Sequence, residues 1–577
     1  MTDLVRLLRI ARPVWGRLAL AAVLGVLTAV AGVGLVATSA YLIAEASLQP
    51  PILTLSVAIV GVRFFGVSRG FFRYLERVVG HDAAFRVLTD VRVQMYGQLE
   101  RLAPAGVPAF RSGDLLSRMV ADVDSVQELY LRVLPPFVIA VVVGGAAVCL
   151  VGWLVPAAGL VLGAGLLVAG LAVPLLAASA ARRADHALAH ERGSLNAGVV
   201  ELIRLSPELV VAGTAAHALA ATSARDETLR SHEQRAAAGA GIGSGLTALA
   251  TGVTVLTSLA VAALAVSAGR LDGVLLAVVV LTPLAAFELV TPLPSALQQL
   301  SRVRASARRL FEVADAPTPV SEPTSPVALP DAPFHCQLSD LAVRWNSEGP
   351  RVLHDVSVDL PPGRRVAIVG PSGAGKSTVA AALLRFVDVE AGSITLNGVS
   401  TASMRGDDVR TAIGLLSQEA HLFDSTLAEN LLLARRDADS LQLRECLAAA
   451  GVLAWADELP DGLDTPVGEH GVRLSGGQRQ RVALARLLLA DFPVVVLDEP
   501  GEHLDTATAD RLLADLLRAV AGRSTLVVTH RLTGLRDVDE IVVLHDGVVT
   551  ERGTHDELLA CAGWYATTWE RERRLEP

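Results

Sequence analysis

Lysine is all but missing from this chain. Lys and Arg together number 50 in 577 residues, yet the only lysine is Lys376, and every other basic residue is arginine. The planar fork of arginine does not replace a compact ammonium where a phosphate needs a point charge. The one position that kept its lysine is therefore a candidate phosphate contact. Cysteine is scarce as well. Cys149, Cys336, Cys446 and Cys561 lie far apart and form no CxxC pair. That excludes a disulfide framework or a cysteine zinc site as the organising device. Charged residues make up only 19%, and the formal net charge is −9. Nucleic-acid binders usually carry a basic balance, so that class is excluded too.

Apolar side chains take up the space. The chain is 52% hydrophobic, with a mean hydropathy of +0.47, too apolar for a typical cytosolic protein. Residues 18–44 carry no charge. At about 1.5 Å per residue they cross a hydrocarbon core of ~30 Å. A second apolar run begins near Ile52 and is interrupted by Arg63, Arg69 and Arg73. Residues 133–181 are again charge-free and predict two crossings with a tight turn near 153–156. A fifth crossing is expected over 236–269, and a sixth from Gly273 to about Leu300, with Glu288 inside it.

Arginine placement predicts the orientation. Arg6, Arg9, Arg12 and Arg17 precede the first crossing, and residues 73–132 and 182–235 are arginine-rich. The short loops at 45–51 and 154–156 carry no basic residue, and 268–272 carries only Arg270. By the positive-inside rule both termini are cytoplasmic, and the two long charged segments are inward-facing helical extensions. Breaks at 106–114 and 206–213 are the candidate coupling loops. The expected domains are a membrane domain over 1–312, an extended proline-rich linker over 313–333, and an α/β domain over 334–577.

The α/β domain carries the chemistry. Residues 365–369, Arg-Val-Ala-Ile-Val, read as a buried strand. It runs into Gly370-Pro-Ser-Gly-Ala-Gly-Lys-Ser377 and then a helical stretch. This is G-x-x-x-x-G-K-S in the strand–loop–helix context a P-loop requires. Gly373 and Gly375 let backbone N–H groups face phosphates, and the helix N-terminus adds its dipole. Lys376 is expected on the β- and γ-phosphates and Ser377 on Mg²⁺. Residues 493–500, Pro-Val-Val-Val-Leu-Asp-Glu-Pro, form the matching strand. It places Asp498 near Mg²⁺ and Glu499 as general base toward the attacking water.

Residues 474–478, Leu-Ser-Gly-Gly-Gln, resemble the signature loop of ABC transporters. In that family this loop covers ATP bound by the opposite subunit, which implies that Ser475 and Gly477 complete a partner's site. The resemblance implies that Trp345 stacks on adenine. It makes Gln418 the Q-loop residue that senses the γ-phosphate and ligates Mg²⁺, and His530 the switch histidine. Asp505 lies at the D-loop, and Gly370, Ser372 and Thr378 complete the ATP-binding loop. The fold implied is the type I/IV exporter: an α-helical membrane domain of six crossings plus an α/β P-loop NTPase domain. One such half must pair, so two ATP sites lie at an interface.

Nearly the whole chain resembles one branch, the CydC-type subunit of the transporter for cytochrome bd assembly. The resemblance rests on residues 40–44 (Ala-Tyr-Leu-Ile-Ala), 49–52 (Gln-Pro-Pro-Ile) and 73–77 (Arg-Tyr-Leu-Glu-Arg), with His81-Asp82 and 502–505 (Glu-His-Leu-Asp). It implies a bacterial inner-membrane heterodimer with a CydD-type half-transporter. The implied cargo is a thiol reductant (cysteine or a glutathione-like compound) or haem. Arg69, Arg73, Arg77 and His81 recur every four residues and form one drifting stripe on a helix. The arginines either hold carboxylates or propionates, with His81 an axial haem ligand, or anchor the inner leaflet. Arg63 and Glu288 sit within apolar crossings, where charge faces a cavity or a partner. They pair with each other or line the cargo path. A homodimeric lipid or peptide exporter is the alternative with the same architecture. A non-transporting ABC regulator is disfavoured, because Glu499, Ser475, Gly477 and His530 are all present.

Overall fold

The computed structural model describes residues 2–107, 110, 112–175, 195, 198–345, 349–418, 420–468, 471, 473–501 and 506–575. The chain forms two compact units: residues 1–98 with 111–316, and 99–110 with 317–577.

The first unit is helical. Among the described residues six stretches are long and apolar enough to cross a membrane: Arg12–Ala46, Ile52–Leu102, Asp114–Leu154, Pro156–Leu175, Gly241–Ser267 and Gly273–Ala314. Helix is the form such stretches adopt, because it bonds each backbone N–H and C=O internally. The second helix runs unbroken for 51 residues. That is about 77 Å, more than twice a ~30 Å hydrocarbon core, so its charged end extends beyond the bilayer. The third and fourth spans meet at Val155, a single extended residue, and Pro156 opens the next helix. They lie very close there. A Cβ on Gly159 would stand 2.4 Å from the Cα of Gly152, so only glycine fits. The sixth crossing is not the single helix expected. It starts on Asp272, whose carboxylate accepts the Val274 N–H at 3.0 Å, and stops at Glu288. A new helix, Leu293–Ala314, follows. Pro292 and Pro294 lack the N–H groups that would have continued the ladder.

Side chains from four spans close the core of this unit, among them Val151, Ala158, Leu162, Ala262 and Phe287. Polar ties hold the charged extensions. Asp122, only 4% exposed, accepts from Arg309 Nε at 2.7 Å and from Ser306 Oγ at 2.8 Å. The N-terminal helix Thr2–Ile10 packs on Leu293–Ala314. There Arg6 grips Asp315 with two hydrogen bonds, at 2.5 and 2.8 Å, and lies 4.0 Å above the Phe311 ring.

The described residues of the second unit form two sheets. The antiparallel one has the order β2-β1-β4-β5, from β1 (Cys336–Arg344), β2 (Arg351–Leu360), β4 (Val389–Leu396) and β5 (Val399–Ser400). The other has the order β10-β9-β3-β8-β7-β6. Its parallel strands are β3 (Arg365–Val369), β6 (Ile413–Leu416), β7 (Val494–Asp498), β8 (Ser524–Val528) and β9 (Glu540–His545), with β10 (Val548–Gly553) antiparallel at the edge. β3, β7 and β8 are mostly Val, Ile and Leu and are almost wholly buried, as parallel strands covered on both faces are. The proline-rich segment after Ala316 is fastened to this unit. Ser321 N–H donates to Asp388 at 2.7 Å, Arg385 donates to the Ser321 carbonyl at 2.7 Å, and Val327 N–H reaches Ser403 at 2.8 Å.

Candidate functional site

Register brings the phosphate chemistry together. Ile368 of β3 lies opposite Val528 of β8, and Asp498 of β7 lies opposite the same Val528. The three strands therefore end level, and each hands its next residues to one edge: Gly370 after β3, Glu499 after β7, His530 after β8. Backbone bonds seal the edge. Glu499 N–H donates to Val528 O at 2.8 Å, and Thr529 N–H to Ile368 O at 3.1 Å. Gly370 must be glycine, because at its φ of +153° a Cβ would stand 2.0 Å from the Leu544 carbonyl.

Lys376 opens the helix Lys376–Leu383 and is 4% exposed. Its Nζ donates to the carbonyls of Gly370 and Pro371, both at 3.1 Å, and lies 3.5 Å from Glu499 Oε1. The other Glu499 oxygen is 3.2 Å from His530 Nδ1. Ser377 Oγ donates to Asp498 Oδ1 at 3.2 Å. Three segments far apart in sequence thus meet: Lys376, Glu499 and His530 form one run of contacts, and Ser377 with Asp498 forms a second beside it. Hard oxygen donors, the Ser377 hydroxyl and the Asp498 carboxylate, suit Mg²⁺. Gln418 lies two residues past β6, whose Leu416 pairs with Leu497 of β7, so it belongs to the same edge. Ser372 and Gly373 are exposed in the loop. Trp345 follows β1 and is 39% exposed. Its indole N–H donates to Thr378 Oγ1 at 3.1 Å, which sets the ring against the P-loop helix.

Ser475 and Gly477 are not part of this cluster. Ser475 caps the helix Gly476–Ala490 in a box with Gln478, and Gly477 lies in its first turn. Among the described residues neither touches the Lys376 group. Asp505 lies outside the described residues.

Sequence reading missed the support behind His530. Glu572 accepts the backbone N–H groups of Leu532 and Thr533, at 3.0 and 3.3 Å. Burial pushes its carboxyl above the usual range. Residues 570–574, Glu-Arg-Glu-Arg-Arg, read as a solvated helix face, and nothing local marks Glu572.

In the membrane unit Arg73 and Glu288 line one cavity of about 250 Å³, together with Arg69 and Glu76. Arg63 is exposed and is not among its lining residues. Arg77 and His81 are exposed one turn beyond. The His81 ring lies 5.9 Å from that of Phe85, and Asp82 beside it binds Arg17 and, at 3.1 Å, Arg86.

The ABC transporter family profile matches residues 353–502. Over 552 residues the chain is 33% identical to the glutathione/L-cysteine transport system ATP-binding/permease protein CydC of Escherichia coli K12. That covers 95% of this chain and 96% of the relative. It is 31% identical over 557 residues to the corresponding CydD of Bacillus subtilis, covering 96% and 95%. A solved bacterial Atm1-family ABC exporter with ATP bound superposes with a TM-score of 0.81 at 24% identity, over 97% of this chain and 99% of that one. It shares the fold: six membrane helices followed by the ATP-binding domain. The chain belongs to the CydC/CydD family of ABC exporters, multi-pass membrane proteins that hydrolyse ATP.

Proposed function

We propose that this chain is one half of a heterodimeric exporter whose other half is CydD-type, and that it moves a thiol reductant, cysteine or glutathione, across the bacterial inner membrane for cytochrome bd assembly. The observation that carries this reading is that similarity to the glutathione/L-cysteine transporters spans membrane and ATPase units alike. A cargo reading rests on the membrane half, since the ATPase half is common to all ABC proteins.

In the proposed cycle Trp345 stacks on adenine. Lys376, Gly370, Ser372, Gly373, Gly375 and Thr378 hold the phosphates. Ser377, Asp498 and Gln418 would hold Mg²⁺, which would supply charge neutralisation at the phosphates. Glu499 takes the proton of the attacking water, and His530, 3.2 Å from it, holds the carboxylate in place and contacts the γ-phosphate. Ser475 and Gly477 present a helix N-terminus to the ATP of the second subunit, and Asp505 serves as the D-loop residue. Closure of the pair on ATP and reopening after hydrolysis drive alternating access. Both termini and the ATPase domain face the cytoplasm. Arg63, Arg73, Arg77, His81 and Glu288 are the candidate cargo contacts. Haem is the second cargo reading, and the placement of Arg77 one turn before His81 favours it specifically.

The test is ATPase rate in nanodiscs with the partner co-expressed, titrated with L-cysteine, glutathione and haem. Glu499→Gln should cut the rate by roughly 10²–10⁴. Stimulation by thiols that His81→Ala leaves intact supports reductant export. Stimulation by haem alone, abolished in His81→Ala, replaces it with haem export.

A further inference from the structure

The cavity in the membrane unit gathers four ionisable side chains. Arg69, Arg73 and Glu76 project from one stripe of the second helix, at i, i+4 and i+7. Glu288 stands on the opposite wall, at the last residue of the helix Gly273–Glu288. None of the four makes an ion pair within 4.0 Å among the described residues. The third wall is the helix through Arg12–Ala46, which presents Gly25 and Gly32 alongside Thr28, Ala29 and Val33. A methyl group on Gly32 would lie 3.8 Å from the Arg69 guanidinium carbon, and one on Gly25 would lie 3.7 Å from Cγ of Glu76. Ala29, Val33, Ala285 and Leu289 supply apolar surface between the charges.

Charge inside a membrane protein is costly and is normally met by direct pairing. Here two cations and two anions balance in number but stand apart around a shared space. Such a lining is complementary to an occupant that carries both signs. We propose that this cavity is a binding site for an α-amino-acid zwitterion. The carboxylate is taken by the planar forks of Arg69 and Arg73, and the ammonium by Glu76 and Glu288. The proposal rests on the small-molecule export reading and deepens it. It assigns the cargo contact to one half-transporter, and it adds Arg69 and Glu76 to the residues that carry it.

The lining disfavours other occupants. A dianion such as the propionate edge of haem would meet Glu76 and Glu288 with like charge. A metal cation would meet two guanidinium groups. The space is about 250 Å³, just below the roughly 300–1,000 Å³ of drug-sized sites, and a single amino acid fits it. Arg77 and His81, which carry the haem reading, lie outside the lining, so separate residues carry the two cargo readings.

The test uses the full chain with its partner half in nanodiscs and measures equilibrium binding of radiolabelled L-cysteine and L-serine. Cysteamine (no carboxylate) and 3-mercaptopropionate (no ammonium) serve as competitors. Both amino acids should bind, and each truncated analogue should compete at least ~30-fold more weakly, the cost of leaving a desolvated charge unpaired. Glu76→Gln and Glu288→Gln should each weaken L-cysteine by at least ~30-fold. Gly32→Leu keeps every charge but fills the space, and should abolish binding. Analogues that compete as well as L-cysteine overturn the proposal, and they do so in the unmodified protein, where misfolding plays no part. So do variants with unchanged binding. If L-cysteine still drives ATPase in that case, the export reading stands and this site falls. If no thiol alters ATPase but L-serine binds with these sensitivities, the site stands and the thiol reading falls.

Discussion

Replacing Lys376 by arginine is the sharpest test of the nucleotide site. The change keeps the charge and matches every other basic residue in the chain. Lys376 is 4% exposed, and its Nζ makes two 3.1 Å hydrogen bonds to loop carbonyls. A guanidinium is bulkier and planar, and a closed site resists it. Overpacking costs about 1–3 kcal/mol, and displacing one charged hydrogen bond costs roughly 1.5–3 kcal/mol more. Taking a total of about 3–4 kcal/mol, ATP affinity should fall on the order of 10²–10³. Titration with a fluorescent ATP analogue, beside phosphate release in the complex with its partner, reads the effect. If Lys376→Arg binds ATP as tightly as the wild type, positive charge alone suffices, and the argument from the single lysine is wrong.

Two further perturbations probe the scaffold. Asp122 is buried while the Arg309 side chain is 44% exposed. A double-mutant cycle of Asp122→Ala with Arg309→Ala should therefore show coupling of about 1.5–3 kcal/mol in detergent unfolding, below the figure for a fully buried pair; additive effects would mean the pair holds nothing. In the ATPase unit the Arg351 guanidinium, with that of Arg344, holds the Glu390 carboxyl down to about 2, from 4.5. A depressed folded-state value means the contribution is present above pH 4.5 and is lost as pH falls toward 2. Glu390→Gln should therefore flatten the acid limb of the stability profile in that window, and an unchanged slope contradicts the pairing.

Local pattern carried a great deal of this molecule. Apolar runs of the right length marked the six crossings, charge-free in the first, third, fourth and fifth and interrupted by arginines in the second and by Glu288 in the sixth. The P-loop and the Asp498–Glu499 strand announced their chemistry by residue type and spacing. What pattern could not supply was which helix faces which. Glu76 reads as one acid in a charge-rich stretch. Only the bare glycines of another helix, and Glu288 on a third, give it a cavity to face. The break at 289–292 follows Glu288 in an otherwise apolar run, and Pro292 and Pro294 were its signal. The Trp345 bond to Thr378 depends on where β1 ends relative to a helix 33 residues later, a tertiary fact with no periodicity of its own.

The grip of Arg6 on Asp315 has a mechanical consequence. Helix ends ordinarily fray, because their last carbonyls lack partners. The end of Leu293–Ala314 is instead riveted: to the N-terminal helix through Arg6, and to the segment around Asp122 through Arg309, while Arg118 bonds the Arg309 carbonyl at 2.8 Å. The chain leaves for the ATPase unit just beyond that point. Unwinding the last turn of this helix would therefore first have to break ties to two other parts of its own unit, so the point where the chain departs is anchored from two sides.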